Sequence, residues 1–279
     1  MSDDNLQQDV KRRIEEVVAC HPDNRHLCGG NPIFEAPCVG FADGNDPLFK
    51  SYKTIIGPFH LTPLELLQAA GFSQATCASV VCWILPVARE TRASNRKQRK
   101  YPSKLWAHTR YYGELFNDVV RREVSEFIRA RGAVAVAPVL EQLFKVHRSN
   151  DDRPIGSNWS ERHIMYAAGL GTFSVNDGFI TERGIAMRCG SVVTDLQFQP
   201  TPRIALKHDL FCRYRSKGEC GRCMQRCPAG AITAGGHDKQ RCEAYIREIV
   251  GPAVQQAYAV KTTGCGLCQT AVPCEARIP

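Results

Sequence analysis

The residues of this chain best suited to chemistry are eight cysteines in its last third. They are Cys212, Cys220, Cys223, Cys227, Cys242, Cys265, Cys268 and Cys274. The run Cys220-Gly-Arg-Cys223-Met-Gln-Arg-Cys227-Pro228 has the Cys-x2-Cys-x3-Cys-Pro spacing that binds a cluster of four irons and four sulfurs (4Fe-4S). Its short loops let successive sulfurs point inward around one core. The spacing therefore predicts iron-sulfur redox chemistry.

The order of the cysteines predicts two interlocked ligand sets. Where two clusters occur together, the cysteine before the proline ligates the other cluster, which assigns Cys227 to the far centre and, by the same logic, Cys274 to the near one. The first set is then Cys212, Cys220, Cys223 and Cys274, and the second set is Cys227, Cys242, Cys265 and Cys268. Two deviations stand out. Lys217 occupies the position of the usual first cysteine, and the loop between Cys268 and Cys274 is longer than usual.

The alternatives to iron-sulfur ligation are a zinc site and a disulfide framework. Zinc ribbons use two separated Cys-x2-Cys knuckles and four ligands, whereas these thiols are interleaved and one run ends in Cys-Pro. Nothing at the N-terminus resembles a secretory signal, because the start is not basic and residues 6–19 are charged and amphipathic. A reducing cytoplasmic location is therefore expected, and free thiols with it.

Composition and charge narrow the range of functions. With 279 residues and 43% hydrophobic content, the chain can bury one or two sizeable cores. No apolar run approaches the roughly 20 residues that cross a bilayer, so no membrane partner is expected. The net charge is +8, and the stretch Arg89 to Lys104 is rich in Arg and Lys. Such a stretch can attract nucleic acid or an acidic redox partner, although a solvated loop is the favoured interpretation.

The pattern of apolar residues and breakers predicts an α+β fold. Helices are expected over residues 5–19, from the N-cap Thr62 to Gly71, over 106–131, and from Ser160 to the turn at Gly169. Strands are expected near 79–85, 133–137, 185–193 and 202–206, and a loop near 23–47. The simplest organisation is an α+β domain at residues 1–205 followed by a ferredoxin-like tail at 206–279.

Several segments of the second half resemble the epoxyqueuosine reductase family. They lie at residues 161–163, 168–171, 190–196, 227–232, 241–246 and 264–269. The most specific is Arg241-Cys242-Glu243-Ala244-Tyr245, because the family places an isolated Arg-Cys-x-x-Tyr between its two cluster runs.

This resemblance implies a nitroreductase-like domain that binds cobalamin and receives electrons from two 4Fe-4S clusters. It also implies a low-potential electron donor of the ferredoxin or flavodoxin type. Asp151, ahead of Pro154, corresponds to the family's proton donor, and Gly169, Leu170 and Gly171 correspond to a turn that approaches the corrin ring. The alternative at Asp151 is a plain solvated turn, and the alternative at the glycines is a helix C-cap, which is compatible with a corrin-facing turn.

The departures from the family concern the substrate. The Gly-Leu-Gly turn continues as Thr172-Phe173-Ser174 instead of an aromatic residue followed by Gly-Lys, and the sequence ends five residues after Cys274. The C-terminal repeats with which many members hold tRNA are therefore not expected. The predicted substrate is a small or nucleotide-like molecule, with a tRNA in doubt.

These observations lead to three hypotheses for the function of the protein. The leading one is a cobalamin-dependent reductase. The second is a non-catalytic electron-transfer protein or reductive activator of a corrinoid partner, docking through residues 89–104, and the third is an iron-sulfur protein that binds nucleic acid.

Other cysteines and histidines receive weaker predictions. Cys77, Cys82 and Cys189 lie in apolar surroundings and are expected to be buried. His163 is the histidine to test first as a cobalt ligand, although a structural role is favoured. A metal site from Cys20, His21, His26 and Cys28 is disfavoured by its spacing.

Overall fold

The elements of the chain are short except for two long helices. The computed structural model describes residues 3–27, 30–76, 78–148 and 155–279. Its α-helices are α1 (Asp3–Cys20), α2 (Pro47–Ile55), α3 (Pro63–Ala69), α4 (Arg89–Arg96), α5 (Lys104–Arg129), α6 (Glu161–Ala167), α7 (Arg213–Lys217), α8 (Arg222–Arg226), α9 (Lys239–Tyr245) and α10 (Gly251–Tyr258). Its strands are β1 (Cys38–Asp43), β2 (Ser79–Pro86), β3 (Ala135–Val136), β4 (Val146–His147), β5 (Gly156–Ser157), β6 (Thr172–Phe173), β7 (Phe179–Ile180), β8 (Met187–Thr194), β9 (Ile232–Thr233) and β10 (Gly236–His237).

A four-stranded antiparallel sheet in the order β1-β2-β8-β3 forms the centre of the molecule. Strand β2 pairs with β8 along its whole length, from Ser79 opposite Thr194 to Pro86 opposite Met187. All eight residues of β2 are buried. Because side chains alternate along a strand, burial of every residue means that both faces of the sheet are covered.

Two hydrophobic cores cover the two faces. On one face Val81, Trp83 and Leu85 pack with residues of α1 and α5. On the other face Val80 and Cys82 pack with residues of α2, α3 and α6. The sheet therefore lies between two layers of helices, and α6 on the second face leads directly into the Gly-Leu-Gly turn.

The helix starts follow from capping. The Thr62 side chain accepts from the Glu65 backbone N–H, and the Glu65 carboxylate accepts from the Thr62 N–H, which is a capping box with Pro63 at the first helical position. Helix α5 begins after Ser103, whose hydroxyl accepts from the Trp106 N–H at 3.2 Å. The predicted start of the first of these helices is confirmed, and that of the second lies two residues earlier than expected.

Two local predictions are wrong. The predicted loop at 23–47 contains β1, which pairs with β2 in full register from Cys38 opposite Ile84 to Asp43 opposite Ser79. The predicted strand at 202–206 is irregular. There Arg203 Nη1 contacts the Asp46 carboxylate at 2.9 Å, and the neighbouring Ile204 is 87% exposed, so this segment is anchored by a polar contact and leaves a large apolar side chain in solvent.

The segment after residue 206 packs directly against α4 and α5. Asn95 on α4 donates to the Cys265 carbonyl at 3.3 Å, and Arg96 contacts the Glu275 carboxylate at 2.6 Å. On α5, His108 Nε2 lies 2.7 Å from the Tyr258 carbonyl oxygen. The mixed helices and antiparallel sheet confirm the α+β class. The nitroreductase-like and ferredoxin-like architectures and the division after residue 205 stay predictions. Within the described ranges, none of the helices has the length and apolarity needed to span a bilayer.

Candidate functional site

The four cysteines of the first set line one cavity. Its volume is ≈ 320 Å³, including the part open to solvent. The cysteines that line it are Cys212, Cys220, Cys223 and Cys274. Cys212 and Cys223 are buried, Cys274 is half-buried, and Cys220 is exposed. The first set thus surrounds a common space that reaches the surface on the side of Cys220.

Local backbone geometry turns these cysteines toward each other. Cys212 caps the start of α7, while Cys220 and Gly221 adopt left-handed conformations with φ of +99° and +75° before α8 begins. Such a turn is sterically free only for glycine, so the strain at Cys220 has to be held by its surroundings. Cys274 enters from the other run after Ala271, which also has a positive φ of +56°.

The cysteines of the second set lie close to one another as well. Burial, and then the neighbouring Cys265 and Cys227, raise the pKa of Cys242 to about 12. Burial raises the pKa of Cys268 far above its ordinary value, and Cys265, Cys242, Cys223 of the first set and Cys227 add to the effect. Each of the four thiols is therefore within electrostatic reach of the other three. Helix α8 separates the two sets, since it carries Cys223 and ends just before Cys227.

Protein groups donate hydrogen bonds to sulfurs of both sets. The Ala231 N–H donates to Cys227 Sγ at 3.3 Å, and the Ser174 hydroxyl donates to Cys212 Sγ at 3.6 Å. Burial raises the pKa of Cys265, whereas backbone N–H groups at Leu267 and Gly266 oppose that rise. Hydrogen bonds to the ionised form stabilise it.

The thiols of the described residues do not form a site for a single metal ion. Among residues 3–27, 30–76, 78–148 and 155–279, no three His, Cys, Asp or Glu side chains converge as ligands of one metal ion. A 4Fe-4S cube takes four thiolates on four separate irons, so its ligands surround a space instead of meeting at a point. Burial raises the pKa of Cys274 to about 12, and the neighbouring Cys223 and Cys212 contribute to this rise. Bound iron would offset the cost of ionising the thiol.

Sequence reasoning missed Arg226, which lies between the two sets. Its guanidinium is buried and donates from Nε to the Thr270 carbonyl at 3.0 Å and from Nη1 to the Gln98 carbonyl at 2.8 Å. Four carbonyl oxygens in all accept hydrogen bonds from it. The only sequence signal was an arginine next to a cysteine ligand, which does not distinguish it from the exposed Arg222 nearby.

The predicted corrin-facing turn closes a helix. Gly169 has φ +72°, its N–H donates to the Tyr166 carbonyl, and the Leu170 N–H donates to the Met165 carbonyl. These two hydrogen bonds form a Schellman motif, so the helix C-cap interpretation is confirmed. A Cβ at Gly169 would lie 2.8 Å from the Pro202 carbonyl oxygen, and one at Gly171 would lie 2.2 Å from that of Ile180. Protein packing alone thus requires both glycines.

The predicted proton donor Asp151 lies outside the described residues, as do Asp152, Cys28 and Cys77. Next to that gap, Lys239 Nζ donates to the Ile155 carbonyl at 3.2 Å. Lys239 also lies 3.8 Å from the Asp177 carboxylate, and His237 Nδ1 lies 3.5 Å from it. Burial would raise the pKa of Asp177, but His237 and Lys239 hold it below its ordinary value. A polar group that the sequence did not reveal therefore borders this region.

The histidine predicted as a test case for cobalt ligation is enclosed by protein. His163 Nδ1 lies 2.8 Å from the Ser160 hydroxyl, and its ring packs between those of Tyr52 and Phe173 at centroid distances of 5.1 and 4.7 Å. Burial lowers its pKa to about 3. The favoured structural role agrees with these contacts.

The structure also places the remaining cysteines and the histidines of the disfavoured metal site. Cys82 is buried in the core and Cys189 is half-buried. His26 Nε2 lies 3.0 Å from the Thr91 hydroxyl, and His21 Nδ1 accepts from the Asp23 N–H at 3.2 Å. Neither histidine belongs to a metal-binding group among the residues that the structure describes.

The basic stretch from Arg89 to Lys104 is not the free cationic loop that the sequence favoured. It forms α4 and the start of α5. Arg92 is buried and contacts Glu35 at 3.1 Å, and Arg96 donates from Nε to Glu275 at 2.8 and 2.9 Å. Arg96 therefore holds the C-terminal segment in place although it is exposed, and the prediction of a solvated loop is wrong for the buried Arg92.

Comparisons with known proteins point to one family. No protein-family model matches the chain. Epoxyqueuosine reductases of Bacillus anthracis and Bacillus cereus are each 29% identical to it over 119 residues, which cover 41% of this chain and 29% of the relative.

Solved structures extend the likeness to the fold of nearly the whole chain. Epoxyqueuosine reductase from Bacillus subtilis matches with a TM-score of 0.53 and 17% identity, covering 97% of this chain and 65% of that one. A structure of epoxyqueuosine reductase with an epoxyqueuosine-modified tRNA stem loop matches with a TM-score of 0.53 and 18% identity, again over 97% and 65%. The predicted resemblance to the epoxyqueuosine reductase family is confirmed. The chain spans less than two thirds of the length of these relatives.

Proposed function

We propose that the chain is an iron-sulfur reductase of the epoxyqueuosine reductase type, with two 4Fe-4S clusters. The observation that supports the proposal best is the cavity lined by Cys212, Cys220, Cys223 and Cys274, which are the four cysteines predicted to bind one cluster. The proposed division is residues 1–205 for substrate and cofactor and 206–279 for the clusters, in a cytoplasmic protein.

The residues of the chain have distinct parts in this proposal. The eight thiolates bind iron, and backbone N–H groups such as that of Ala231 stabilise their charge. Ser174, which follows β6 near the glycine turn, contacts Cys212 of the first set. Between β6 and β7, Asn176 donates to the Cys268 carbonyl of the second set at 3.0 Å. Both sets are thus in contact with the β6–β7 region that adjoins α6.

Cobalamin enters the proposal through the resemblance alone. When bound, it would supply a cobalt centre that accepts electrons and reduces the substrate. Both glycines of the turn are explained by contacts with Pro202 and Ile180, so the geometry of the turn does not show a fit to a corrin ring, and no step is derived through it. Asp151 is the proposed acid, and a small or nucleotide-like molecule is the proposed substrate.

A second candidate is a non-catalytic electron-transfer protein or reductive activator of a corrinoid partner. Backbone atoms of Pro202 and Ile180 lie where a side chain at Gly169 or Gly171 would be. This packing favours the second candidate, because it explains both glycines without a bound cofactor. The electron donor in either case would be a low-potential carrier of the ferredoxin or flavodoxin type.

Anaerobic purification with metal analysis tests both candidates. The reductase predicts about eight irons per chain, as two four-iron cubes require, and binding of added cobalamin seen as a shift of its visible absorption. Eight irons without cobalamin binding would support the electron-transfer protein instead. Zinc in place of iron, or far fewer irons than eight after anaerobic reconstitution, would refute both.

A further inference from the structure

The first cysteine set opens to solvent through a rim that carries positive charge. A surface opening of ≈ 750 Å³, including the part open to solvent, is lined by Arg213, Cys220, Arg222, Ala271 and Pro273. Cys220 is the exposed member of the first set, so the opening leads directly to a ligand sulfur. An electron arriving from outside would have its shortest path to the first cluster here.

The charges around this opening are predominantly basic. Helix α7 presents the exposed residues Arg213, Arg215 and Lys217, and α8 begins with the exposed Arg222. Glu219 is the acidic residue of this stretch, and its carboxylate contacts Arg213 Nη2. Residues 213–222 thus hold four cationic side chains and one anionic one, a net charge of +4 − 1 = +3.

A position beside a predicted ligand cysteine distinguishes this rim from the basic stretch at residues 89–104, where Arg96 is also exposed. There Arg92 and Arg96 are engaged with Glu35 and Glu275. By contrast, the Arg222 guanidinium donates to the neutral Gln225 side chain at 2.8 Å, which leaves its charge available to a partner.

We infer that this rim, lined by Arg213 and Arg222 and continued along α7 by the exposed Arg215 and Lys217, is the docking surface for a small redox protein with an acidic face around its own redox centre. The inference rests on the proposed function, since it requires a cluster in the first set. A carboxylate-rich face complements the rim, and such complementarity accelerates the encounter and fixes its orientation. In each transfer the carrier is oxidised by one electron, and the first cluster takes up that electron.

The test compares two reductants of the reconstituted, cluster-loaded protein. Photoreduced acidic flavodoxin needs the docking surface, whereas the methyl viologen radical cation is small and positively charged and does not. Stopped-flow bleaching of the visible cluster absorption gives the second-order rate constant for each. The variant is Arg213→Gln with Arg222→Gln, and the charge-matched control is Lys50→Gln with Arg122→Gln on the exposed surfaces of α2 and α5.

The expected result is a roughly tenfold slower reduction of the rim variant by flavodoxin at low ionic strength, within the range known for electrostatic steering. Reduction by methyl viologen should not slow, and the control should behave as wild type. The difference should shrink at about 1 M salt, where the Debye length is about 3 Å. An unchanged flavodoxin rate in the rim variant, or an equal loss in the control, would overturn the inference.

Two further measurements keep the outcome interpretable. If the rim variant binds less iron because it borders ligands, Arg215→Gln with Lys217→Gln replaces it, since neither residue adjoins a cysteine of the first set. A wild-type flavodoxin rate in that variant also overturns the inference. Failure of the proposed function looks different, because wild-type protein would then lack iron or would not be reduced by methyl viologen.

Discussion

Arg226 Nε donates a hydrogen bond to the Thr270 carbonyl oxygen at 3.0 Å and so joins the two cysteine runs. The arginine lies between Cys223 and Cys227, whereas Thr270 lies between Cys268 and Cys274. The same guanidinium donates to the Gln98 carbonyl after α4. One buried cation therefore links three segments that are far apart in the sequence.

Replacing Arg226 with Met should destabilise the protein. Because four carbonyl oxygens, three of them in buried hydrogen bonds, would lose their donor, we expect a loss of about 3 kcal/mol in the free energy of unfolding, measured by urea titration under anaerobic conditions. Removing a positive charge beside Cys265 and Cys268 should also make the reduction potential of the second cluster more negative.

The matched control is Arg222→Met, since Arg222 is exposed on the same helix and should change stability by less than about 0.5 kcal/mol. Equal stabilities for the two variants would contradict the role of Arg226.

Gly266 should not tolerate a side chain. It has φ +57°, and a Cβ would lie 2.0–2.1 Å from atoms of the Trp106 indole. Gly266→Ala should therefore displace the loop between Cys265 and Cys268 and reduce the iron content from about eight to about four per chain. Gly218→Ala is the control, because its φ of +72° imposes similar backbone strain but nothing lies within 4 Å of its Cβ. Full iron content in Gly266→Ala would show that the loop adapts.

The crossed assignment of ligands can be tested by pairs of serine substitutions. Cys274→Ser and Cys220→Ser should perturb the electron paramagnetic resonance signal of the same cluster, although the two residues belong to different runs. Cys227→Ser and Cys242→Ser should perturb the other signal. Cys20→Ser, at an exposed cysteine outside both sets, should leave both signals intact. If Cys274→Ser instead altered the same signal as Cys268→Ser, the ligands would not cross.

Acid should destabilise the protein through the buried His163. Burial lowers its folded-state pKa to about 3, against about 6.5 when unfolded. The unfolded chain therefore binds a proton below about pH 6.5 that the native protein excludes, and stability falls as the pH drops toward the folded pKa. The loss attributable to this residue between pH 6.5 and pH 5 is about 2 kcal/mol.

Urea titrations at several pH values measure this effect. His163→Phe keeps an aromatic ring between Tyr52 and Phe173 and should reduce the pH dependence by about that amount, whereas His208→Gln, at an exposed histidine, should not. An unchanged pH dependence in His163→Phe would contradict the argument.

The longest elements could be predicted from sequence because their signals are local, and the predicted ligation by cysteines rests on a local signal as well. The spacing around Cys220 to Cys227 specifies ligation, and the box at Thr62 and Glu65 specifies a helix start. Strand β1 could not be recognised, because its identity depends on pairing with β2, which lies about forty residues further along the chain, and Gly40 interrupts its apolar pattern.

The surroundings of the candidate site depended on tertiary contacts and could not be predicted. Arg92 and Arg226 both occur in basic stretches, and only the fold distinguishes these buried cations from exposed ones such as Arg222. Likewise, the glycines at 169 and 171 matched a cofactor-binding turn, whereas Pro202 and Ile180 supply the contacts that require them.

Helix α8 has a consequence for the timing of electron flow. It is five residues long and directly connects ligands of both proposed centres, so their separation is set by little more than one helical turn. Transfer from one cube to the other would then need no hinge or docking motion. Any gating of turnover by conformation must act where a donor arrives or where the substrate binds.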